Sequence, residues 1–367
     1  MNIHSIEVSV EKLPLIKPFK TALRTADEIE NVIVMLQLEN GIIGMGAAAP
    51  TVAITGDSTE GIKGIIQSVM TPQLIGRPIT QLNQLSKIVQ QSCVGNTSAK
   101  AAVEIAVYDA LCKYWNIPLY QFLGGKTNQL LNDMTISIGE EEKMVSEAKQ
   151  IINDGFSIIK IKAGKDWMND IERIAAIREA VGNDVTLRVD ANQGWTVKQS
   201  VEVIREWEKD RLNIELVEQP VRAHNISGLK EIKRRVQTPI MADESLFSPR
   251  DAMKLLSEQA VDYLNIKLMK TGGIRRALQI ADMAEAAEVE CMIGSMMESS
   301  ISVAAAVHLA IAHPNITKID LDAPLWIKEE PFEGISYVEN GIQVSGEAGL
   351  GIKRKDTFPF KNKKTKG

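Results

Sequence analysis

Residues 155–192 read GFSIIKIKAGKDWMNDIERIAAIREAVGNDVTLRVDAN, which is a β-rich run, a longer helical pattern and a second β-rich run. The same alternation continues on both sides. The β-rich runs begin near Met134, Ser157, Thr186, Ile214, Pro239, Tyr263, Val289 and Ile316. Each run begins 23 to 29 residues after the one before it, which is enough for a strand and its crossover helix. Eight strands at so even a spacing favour a closed parallel (β/α)8 barrel of the TIM type over a doubly wound open sheet.

The chain on either side of the barrel has a different pattern. Strand-like runs from Ile3 to Leu13 and from Asn31 to Leu38 come first, and Asn40-Gly41 marks a hairpin turn after them. A helical spacing then extends to about Trp115. The predicted division is an α+β capping domain in residues 1–125, the barrel in residues 126–320, and a C-terminal segment, residues 321–367, that returns to the cap.

The composition narrows the class of protein. Hydrophobic residues make up 44% of the chain and charged residues 24%, as in a soluble globular protein with a sizeable core. The net charge of -5 gives no electrostatic reason to expect nucleic acid or a membrane surface as a partner. Three widely spaced cysteines argue against a disulfide framework and fit a reducing compartment. Since no signal-like or membrane-spanning run is present, we expect a cytoplasmic protein, and we expect a homo-oligomer.

Three acids occupy equivalent positions at the carboxyl ends of the predicted strands, where such barrels carry their reactive groups. Asp190, Glu218 and Asp243 end the third, fourth and fifth runs, so their carboxylates should converge. Converging carboxylates raise one another's pKa unless a cation lies among them. All-oxygen ligation without a nearby Cys or His suits Mg²⁺. We expect Asn192 and Glu244, which lie beside two of these acids, to support the ligands.

Three lysines accompany the acids. Lys160 and Lys162 alternate on the second strand, so both should point into the barrel mouth, where each ammonium group is expected to lower the pKa of the other. A lowered pKa moves a lysine toward use as a base. Strands two and six are diametrically opposed, so Lys267 should face Lys162 across the metal. A base on each side of one carbon is what inversion by proton transfer requires. The alternative, a structural ion network, is costly at this depth.

A further acid pair, Asp320-Leu321-Asp322, ends the eighth run. The i, i+2 spacing directs both carboxylates into the mouth, where they could hold a substrate cation such as an ammonium group. The alternative is that Asp322 forms a turn with Ala323-Pro324. Arg24 lies in residues 18–25, which carry little secondary-structure signal and could form a loop over the mouth. We weigh two roles for Arg24, a ligand of a substrate anion and an ordinary solvated arginine.

Five motifs, in order and at barrel spacing, resemble the enolase superfamily and, within it, the muconate-cycloisomerase-like subgroup. They are Lys160-x-Lys162, Asp190-x-Asn192, Glu218-Gln219-Pro220, Ala242-Asp243-Glu244-Ser245 and NIKLMKTGG at residues 265–273. The resemblance covers essentially the whole chain. It implies a modified barrel of the (β/α)7β type with an α+β capping domain, Mg²⁺ held by the three acids, and lysine bases. One departure lies in the cap, where Gly46-Ala47 replaces the Gly-Glu common in the family.

Within the subgroup, Asp320-x-Asp322 resembles the dipeptide epimerases, among them those of the L-Ala-D/L-Glu type. The resemblance implies an isomerase that inverts the α-carbon of the C-terminal residue of a dipeptide by 1,1-proton transfer between Lys162 and Lys267, with Lys160 assisting at the carboxylate. It also implies that the acid pair binds the α-ammonium group. The remaining substrate contacts that it implies are Arg24 at the C-terminal residue and Thr135, Ser295 and Met297 along the peptide.

Other functions stay open at this point. A racemase or lyase of the same subgroup, such as N-succinylamino-acid racemase, o-succinylbenzoate synthase or muconate cycloisomerase, would need the metal and the lysines but not the acid pair. A non-catalytic ligand-binding barrel would be expected to have lost a lysine or a metal acid, and none is lost. The dipeptide is open too. If Arg24 faces a side-chain carboxylate, the substrate is of the Ala-Glu kind, whereas Phe19, Ile54 and Met297 could otherwise line an apolar pocket.

Overall fold

The N-terminal part of the computed structural model is a three-stranded antiparallel sheet covered by helices. The structure describes residues 1–126, 129–338 and 340–355. The sheet has the strand order β1-β2-β3. The elements are β1 (Ile3–Lys20), β2 (Thr25–Leu38), β3 (Ile43–Ala48), α1 (Thr59–Ile65), a π-helical turn (Ile66–Met70), α2 (Thr71–Leu74), α3 (Leu82–Gln91), α4 (Thr97–Trp115) and α5 (Leu119–Phe122).

Strands β1 and β2 are longer than the sequence predicts, and residues 18–25 are not an open loop. Phe19 pairs with Ala26 and Lys20 with Thr25, so the hairpin continues almost to its tip. Only residues 21–24 of the expected loop lie outside strands, and the loop was predicted too long because prolines interrupt the alternating pattern of β1. Proline is tolerated at the edge of a sheet, and a register shift between Pro14 and Phe19 accommodates the irregular stretch.

Helix α4 packs its backbone closely against this sheet. Alanine residues dominate the helix, and residues 98–112 are all buried. The closest approach is at Gly46 of β3, where a Cβ atom would lie 1.9 Å from the carbonyl oxygen of Ala102 and 2.9 Å from the nitrogen of Ala106. Small residues on both sides therefore let the helix and the strand come into direct backbone contact.

The second part of the chain is the barrel, in which parallel strands alternate with helices and strand order follows the chain. A short strand, β4 (Gln129–Leu131), precedes it. The barrel strands are β5 (Met134–Ile136), β6 (Ile158–Lys162), β7 (Thr186–Asp190), β8 (Ile214–Glu218), β9 (Ile240–Ala242), β10 (Tyr263–Lys267), β11 (Glu290–Gly294) and β12 (Ile316–Asp320). The helices are α6 (Glu141–Asn153), α7 (Trp167–Val181), α8 (Val197–Lys209), α9 (Ile226–Arg235), α10 (Pro249–Ser257), α11 (Leu268–Thr271), α12 (Ile274–Ala286) and α13 (Ser300–Ala312).

The predicted fold class is confirmed. Each of the eight strands begins within one residue of its predicted start, and seven helical crossovers join them, which is the (β/α)7β form. Side chains link the first and last strands at the seam. The backbone N–H of Thr135 donates to Asp322 Oδ2 at 2.8 Å, and the N–H of Leu321 donates to Asn132 Oδ1 at 2.9 Å.

The chain after the barrel contacts the cap. A 3₁₀ turn (Ala323–Trp326) leads to β13 (Phe332–Glu333), β14 (Ile335–Val338), β15 (Gly341–Val344) and β16 (Lys353–Arg354). The N–H of Leu350 donates to Asp109 Oδ1 of α4 at 2.8 Å. The proposed division into three segments stays a prediction, and its last residues, 356–367, lie outside the described part. Within the described ranges no helix has the length and apolar character needed to cross a membrane.

We predict that Gly46→Ala destabilises the protein by about 1–3 kcal/mol, because the added methyl group must push β3 away from α4. The matched control is Gly64→Ala on α1, where a Cβ atom would meet open space. Alanine is the better helix former, so this variant should gain about 0.5–1 kcal/mol. Thermal unfolding followed by circular dichroism measures both, and an unchanged midpoint for Gly46→Ala would contradict the close packing.

Candidate metal and substrate site

Three carboxylates meet at the carboxyl end of the barrel. Asp190 and Glu218 are the last residues of β7 and β8, which pair side by side, and Asp243 directly follows β9. One oxygen from each of the three lies within 4.8 Å of the others, and each residue is at most 1% exposed. The three acids predicted from the sequence therefore lie close together in the structure, and their role as metal ligands stays a prediction.

The donor set fits a small, hard cation. All three groups offer oxygen, which is the ligand atom that Mg²⁺ prefers. Burial and the neighbouring Asp190 outweigh Lys160 and raise the pKa of Glu218 to about 7, so the charge of this carboxylate is only partly compensated. Its Oε2 is buried and accepts no hydrogen bond within the described residues, although the ammonium nitrogen of Lys160 lies 2.6 Å away. A divalent ion among these oxygens would supply the missing positive charge.

Lys160 lies at the centre of the cluster. Its ammonium nitrogen is 2.6 Å from Asp320 Oδ2 and 3.3 Å from Asp190 Oδ2, in addition to its contact with Glu218. The expectation that a second lysine would lower its pKa is wrong. Burial lowers the pKa of Lys160, but Asp320, Glu218 and Asp190 outweigh burial and raise it well above its ordinary value. Lys160 therefore remains a cation suited to stabilising negative charge.

Lys162 and Lys267 flank the row of acids at its two ends. The ammonium nitrogen of Lys162 lies 2.6 Å from Asp190 Oδ2, and that of Lys267 lies 2.8 Å from Asp243 Oδ2. Glu218 stands between these two acids in strand order. Burial lowers the pKa of Lys267, but Asp243 and Glu218 outweigh burial and raise it. The two amines thus approach the row from opposite ends, as the opposed positions of β6 and β10 require.

A fourth ammonium group, that of Lys270, lies at the site without having been predicted from the sequence. This lysine is fully buried on α11 and contacts both the backbone oxygen and Oδ1 of Asp243, while Asn265 O accepts a hydrogen bond from it at 3.1 Å. Burial would raise the pKa of Asp243, but Lys267 and Lys270 outweigh burial and lower it. Lys270 belongs to the NIKLMKTGG motif, but its spacing of three residues from Lys267 brings both amines to one side only because a helix begins at Leu268.

Amide side chains hold the acid-bearing loops. The side-chain amide of Asn192 donates hydrogen bonds to Asp190 Oδ2 at 3.2 Å and to Glu244 Oε1 at 3.4 Å. Burial and, to a smaller extent, the charge of Asp243 raise the pKa of Glu244 to about 8. Gln219 Oε1 accepts the backbone N–H of Asp243 at 2.9 Å. This role of Gln219 was not predicted, although the residue belongs to the Glu218-Gln219-Pro220 motif, because the loop that it holds follows a different strand.

The acid pair of β12 lies beside the lysines. Asp320 Oδ2 accepts a hydrogen bond from the Lys160 ammonium group at 2.6 Å. Burial would raise the pKa of Asp320, but the charges of Lys160, Lys162 and Lys267 outweigh burial and lower the pKa to about 2. Asp322 Oδ2 accepts hydrogen bonds from the N–H of Thr135 at 2.8 Å and from Trp326 Nε1 at 3.1 Å. Burial, then Asp320, raises the pKa of Asp322. Asp320 and Asp322 therefore lie close together, and Asp322 also begins the turn considered as its alternative role, because its backbone oxygen accepts the N–H of Leu325 at 2.9 Å.

The tip of the β1–β2 hairpin covers this mouth. Phe19 packs edge-on against Trp326 with ring centroids 5.0 Å apart, and the ammonium nitrogen of Lys162 lies 5.9 Å from the Phe19 centroid. Met297 belongs to the same apolar cluster. Ser295, after β11, donates its N–H to Asp320 O at 3.2 Å. The hairpin therefore closes the site with aromatic and apolar surface.

Arg24 lies at the hairpin tip, where its backbone oxygen accepts the N–H of Thr21 at 2.9 Å. Its side chain is partly buried, and burial lowers its pKa. Among the described residues, the guanidinium has no ion-pair or hydrogen-bond partner. A partly buried cation without a partner is unfavourable by itself, which distinguishes Arg24 from an ordinary solvated arginine.

A second group of potential ligands, Asp282, Glu285 and His313, lies on the outer helices. The two acids are exposed. His313 Nδ1 accepts the N–H of Asn315 at 3.2 Å, so the neutral ring carries its proton on Nε2, which lies 3.1 Å from Asp282 Oδ1. A protonated Nε2 has no lone pair for a metal. This group therefore serves as a control for the buried acids.

Two protein-family models match the chain, and together they cover the cap and the barrel. "Mandelate racemase / muconate lactonizing enzyme, N-terminal domain" matches residues 5–124, and "Enolase C-terminal domain-like" matches residues 143–357. The chain is 47% identical to the L-Ala-D/L-Glu epimerase of Bacillus subtilis (strain 168), over 96% of this chain and 97% of that protein. It is 35% identical to the N-succinyl-L-Arg/Lys racemase of Bacillus cereus, over 96% and 95%.

Solved structures agree with these matches. A substrate-liganded complex of the Bacillus subtilis epimerase superposes with a TM-score of 0.95 at 47% identity, covering 96% of this chain and 99% of that one. The dipeptide epimerase of Enterococcus faecalis V583, in complex with Mg and the dipeptide L-Leu-L-Tyr, gives a TM-score of 0.93 at 40% identity, covering 96% and 100%.

We predict that Mg²⁺ raises the thermal midpoint of the protein, because an ion that binds only the folded state stabilises it by about 2.7 kcal/mol at a hundredfold excess over Kd. Asp190→Asn and Glu218→Gln should lose most of this shift, while Asp282→Asn should keep it. Differential scanning fluorimetry with and without Mg²⁺ measures the shifts. Loss of the shift in Asp282→Asn alone would move the metal site to the outer helices.

Proposed function

The chain belongs to the mandelate racemase and muconate lactonizing enzyme family of the enolase superfamily, and on that premise we propose that it is a dipeptide epimerase. It is an isomerase that inverts the α-carbon of the C-terminal residue of a dipeptide. The observation that carries the proposal is the placement of two amines, Lys162 and Lys267, at opposite ends of one row of carboxylates. Relatives named as epimerases share 41–47% identity over nearly the full chain.

Mg²⁺ is the cofactor, and Asp190, Glu218 and Asp243 would hold it. When bound, it supplies positive charge beside the substrate carboxylate, where negative charge develops as the α-proton leaves. Lys160 supplies a second positive charge beside the substrate carboxylate. Because its ammonium group is held in the charged state by three carboxylates, it donates hydrogen bonds to a substrate oxygen without needing to change its protonation.

The proton transfer needs one neutral and one protonated amine. Lys162 as a free amine takes the α-proton from one face and becomes an ammonium group, while the Lys267 ammonium group gives a proton to the opposite face and becomes neutral. The reverse reaction exchanges these roles, so no atom is gained or lost overall. The raised pKa of Lys267 beside Asp243 favours the donor form. The hairpin bearing Phe19 excludes water from the amines.

The acid pair favours a dipeptide over the other substrates of this family. Asp320 is fully charged at neutral pH because its pKa is held to about 2, and Asp322 lies beside it on the same face. Two carboxylates attract the α-ammonium group of a peptide, whereas an N-succinylamino acid or o-succinylbenzoate precursor presents an anion there. The peptide would pass between Thr135, whose N–H donates to Asp322, and two residues on the other side, Ser295 and Met297.

We further propose that the C-terminal residue of the substrate is acidic, as in Ala-Glu. Arg24 supports this proposal, because its guanidinium is partly buried and lacks a partner among the described residues. A side-chain carboxylate of the substrate would provide the missing counter-charge. The alternative is a bulky apolar residue against Phe19 and Met297, which form one apolar cluster with Trp326, whereas Ile54 packs against the main core. A homo-oligomeric state and a cytoplasmic location stay predictions.

Deuterium exchange tests the reaction. In D₂O with Mg²⁺, the wild-type enzyme should epimerise L-Ala-L-Glu and replace the α-hydrogen of the glutamate residue of this dipeptide with deuterium. Mass spectrometry measures the deuterium, and chiral chromatography measures the epimers. Lys162→Ala and Lys267→Ala should each abolish epimerisation, because one face then lacks its proton carrier. Each variant should still exchange the α-hydrogen of one epimer, and the two should retain opposite epimers.

The control for these variants is Lys165→Ala, an exposed lysine just after β6, which should behave as the wild type. Incorporation of deuterium into N-succinylamino acids but not into dipeptides would refute the epimerase in favour of the racemase. Exchange into neither class would support a non-catalytic barrel. Full epimerisation by either lysine variant would refute the two-base arrangement.

Substitution of Arg24 tests the substrate class. Arg24→Gln should lower kcat/KM for L-Ala-L-Glu by roughly 10- to 100-fold, mainly through KM, because a charge-assisted contact is worth about 1.5–3 kcal/mol. Turnover of L-Ala-L-Leu should change by less than about threefold. Arg205→Gln, on the outer face of α8, is the control. A wild-type preference for apolar dipeptides that Arg24→Gln leaves unchanged would establish the alternative.

A further inference from the structure

Two of the buried lysines of the site lie where strand β10 leads into the following segment. Lys267 ends the strand, α11 follows without a gap, and Lys270 on that helix contacts Asp243. After Thr271 come Gly272, with a φ of +80°, and Gly273, with a φ of +124°, and then α12 begins. We call residues 268–273 the β10 loop. Its conformation places the Lys270 ammonium group against Asp243, and it begins directly after Lys267.

The N-terminus of α12 lacks a capping side chain of its own, because its N-cap residue is Gly273. Glu104, in the middle of cap helix α4, takes that place. Its Oε2 accepts the backbone N–H of Arg275 at 3.0 Å. A helix N-terminus leaves its first N–H groups without partners, and a carboxylate is a favourable acceptor for them. Glu104 is fully buried, so this contact joins two buried parts of the chain.

The glycines of the β10 loop fit this contact closely. A Cβ atom at Gly273 would lie 2.1 Å from Glu104 Oε2, so any larger residue would displace the carboxylate. A second cap residue supports the loop from α3, because Gln90 Nε2 donates to Gly272 O at 2.5 Å. Two cap helices therefore hold the same loop through two side chains.

We propose that Glu104 is a positioning residue for the proton transfer, which it influences by fixing the β10 loop and with it the amines of Lys267 and Lys270. Glu104 touches neither the substrate region nor the row of acids, so its effect passes through the loop backbone. Because Lys162 stands on β6, at the other end of the row, the effect falls on one side of the site. The inference rests on the proposed two-lysine reaction.

The test compares exchange of the two epimers separately. The lysine variants described above first identify the epimer whose α-hydrogen faces Lys267. In Glu104→Ala, exchange from that epimer should fall by roughly 10- to 100-fold, as expected for a small displacement of a catalytic group. Exchange from the epimer that faces Lys162 should fall by less than about threefold. Glu104→Gln keeps an acceptor for the N–H of Arg275 and should restore near-wild-type exchange from both.

Asp109→Asn is the matched control, since Asp109 is also a buried acid of α4 but accepts the backbone N–H groups of Met45 and Leu350, outside the β10 loop. It should alter the thermal midpoint without separating the two epimers. Gln90→Ala is a second, milder variant in case Glu104→Ala does not fold. It should reduce exchange from the epimer that faces Lys267 by a smaller factor than Glu104→Ala does.

Equal loss for both epimers in Glu104→Ala and Gln90→Ala, or no loss in either, would overturn the positioning role. A wild-type protein that exchanges neither epimer would instead refute the proposed function, so the two failures are distinguishable.

Discussion

Attraction between buried ammonium groups and buried carboxylates at the carboxyl end of the barrel determines how the surrounding structure is built. Lys160, Lys162, Lys267 and Lys270 each lie against at least one acid of the site. Removing one partner of such a pair leaves an unpaired buried charge, which costs about 3–5 kcal/mol. The strands must therefore present all of these groups together, and a bound divalent ion would complete the balance at Glu218.

This charge balance also separates the roles of chemically identical side chains. Lys160 lies among three carboxylates and remains a cation, whereas Lys162 and Lys267 each stand at one end of the row. The carboxylates around Lys160, and not its spacing from Lys162, determine that its ammonium group stays charged. In the proposed reaction, one residue type would serve both as a fixed electrostatic partner and as a proton carrier within a single barrel mouth.

The sequence allowed the barrel and its acids to be predicted because both depend on periodicity. Strand starts such as Thr186 and Tyr263 follow from spacing alone, and residues at strand ends, such as Glu218, follow from the strand assignments. The pKa of Lys160 could not be predicted, since it depends on Asp320, which is distant in sequence. The extended β1–β2 hairpin was missed because its prolines are tolerated only on an edge strand. Glu104 gave no signal at all, because its partner is a backbone N–H of another domain.

The β1–β2 hairpin carries one more implication. Arg24 and Phe19 belong to a part of the chain that contributes no amine and no acid to the chemical step. On the proposed role of Arg24, mutations there would change the preferred substrate and leave the reaction intact, so new preferences could evolve without changes to the catalytic lysines and acids. Relatives with a shared scaffold carry different names, from L-Ala-D/L-Glu epimerase to hydrophobic dipeptide epimerase, which is the diversity that such a separable module permits.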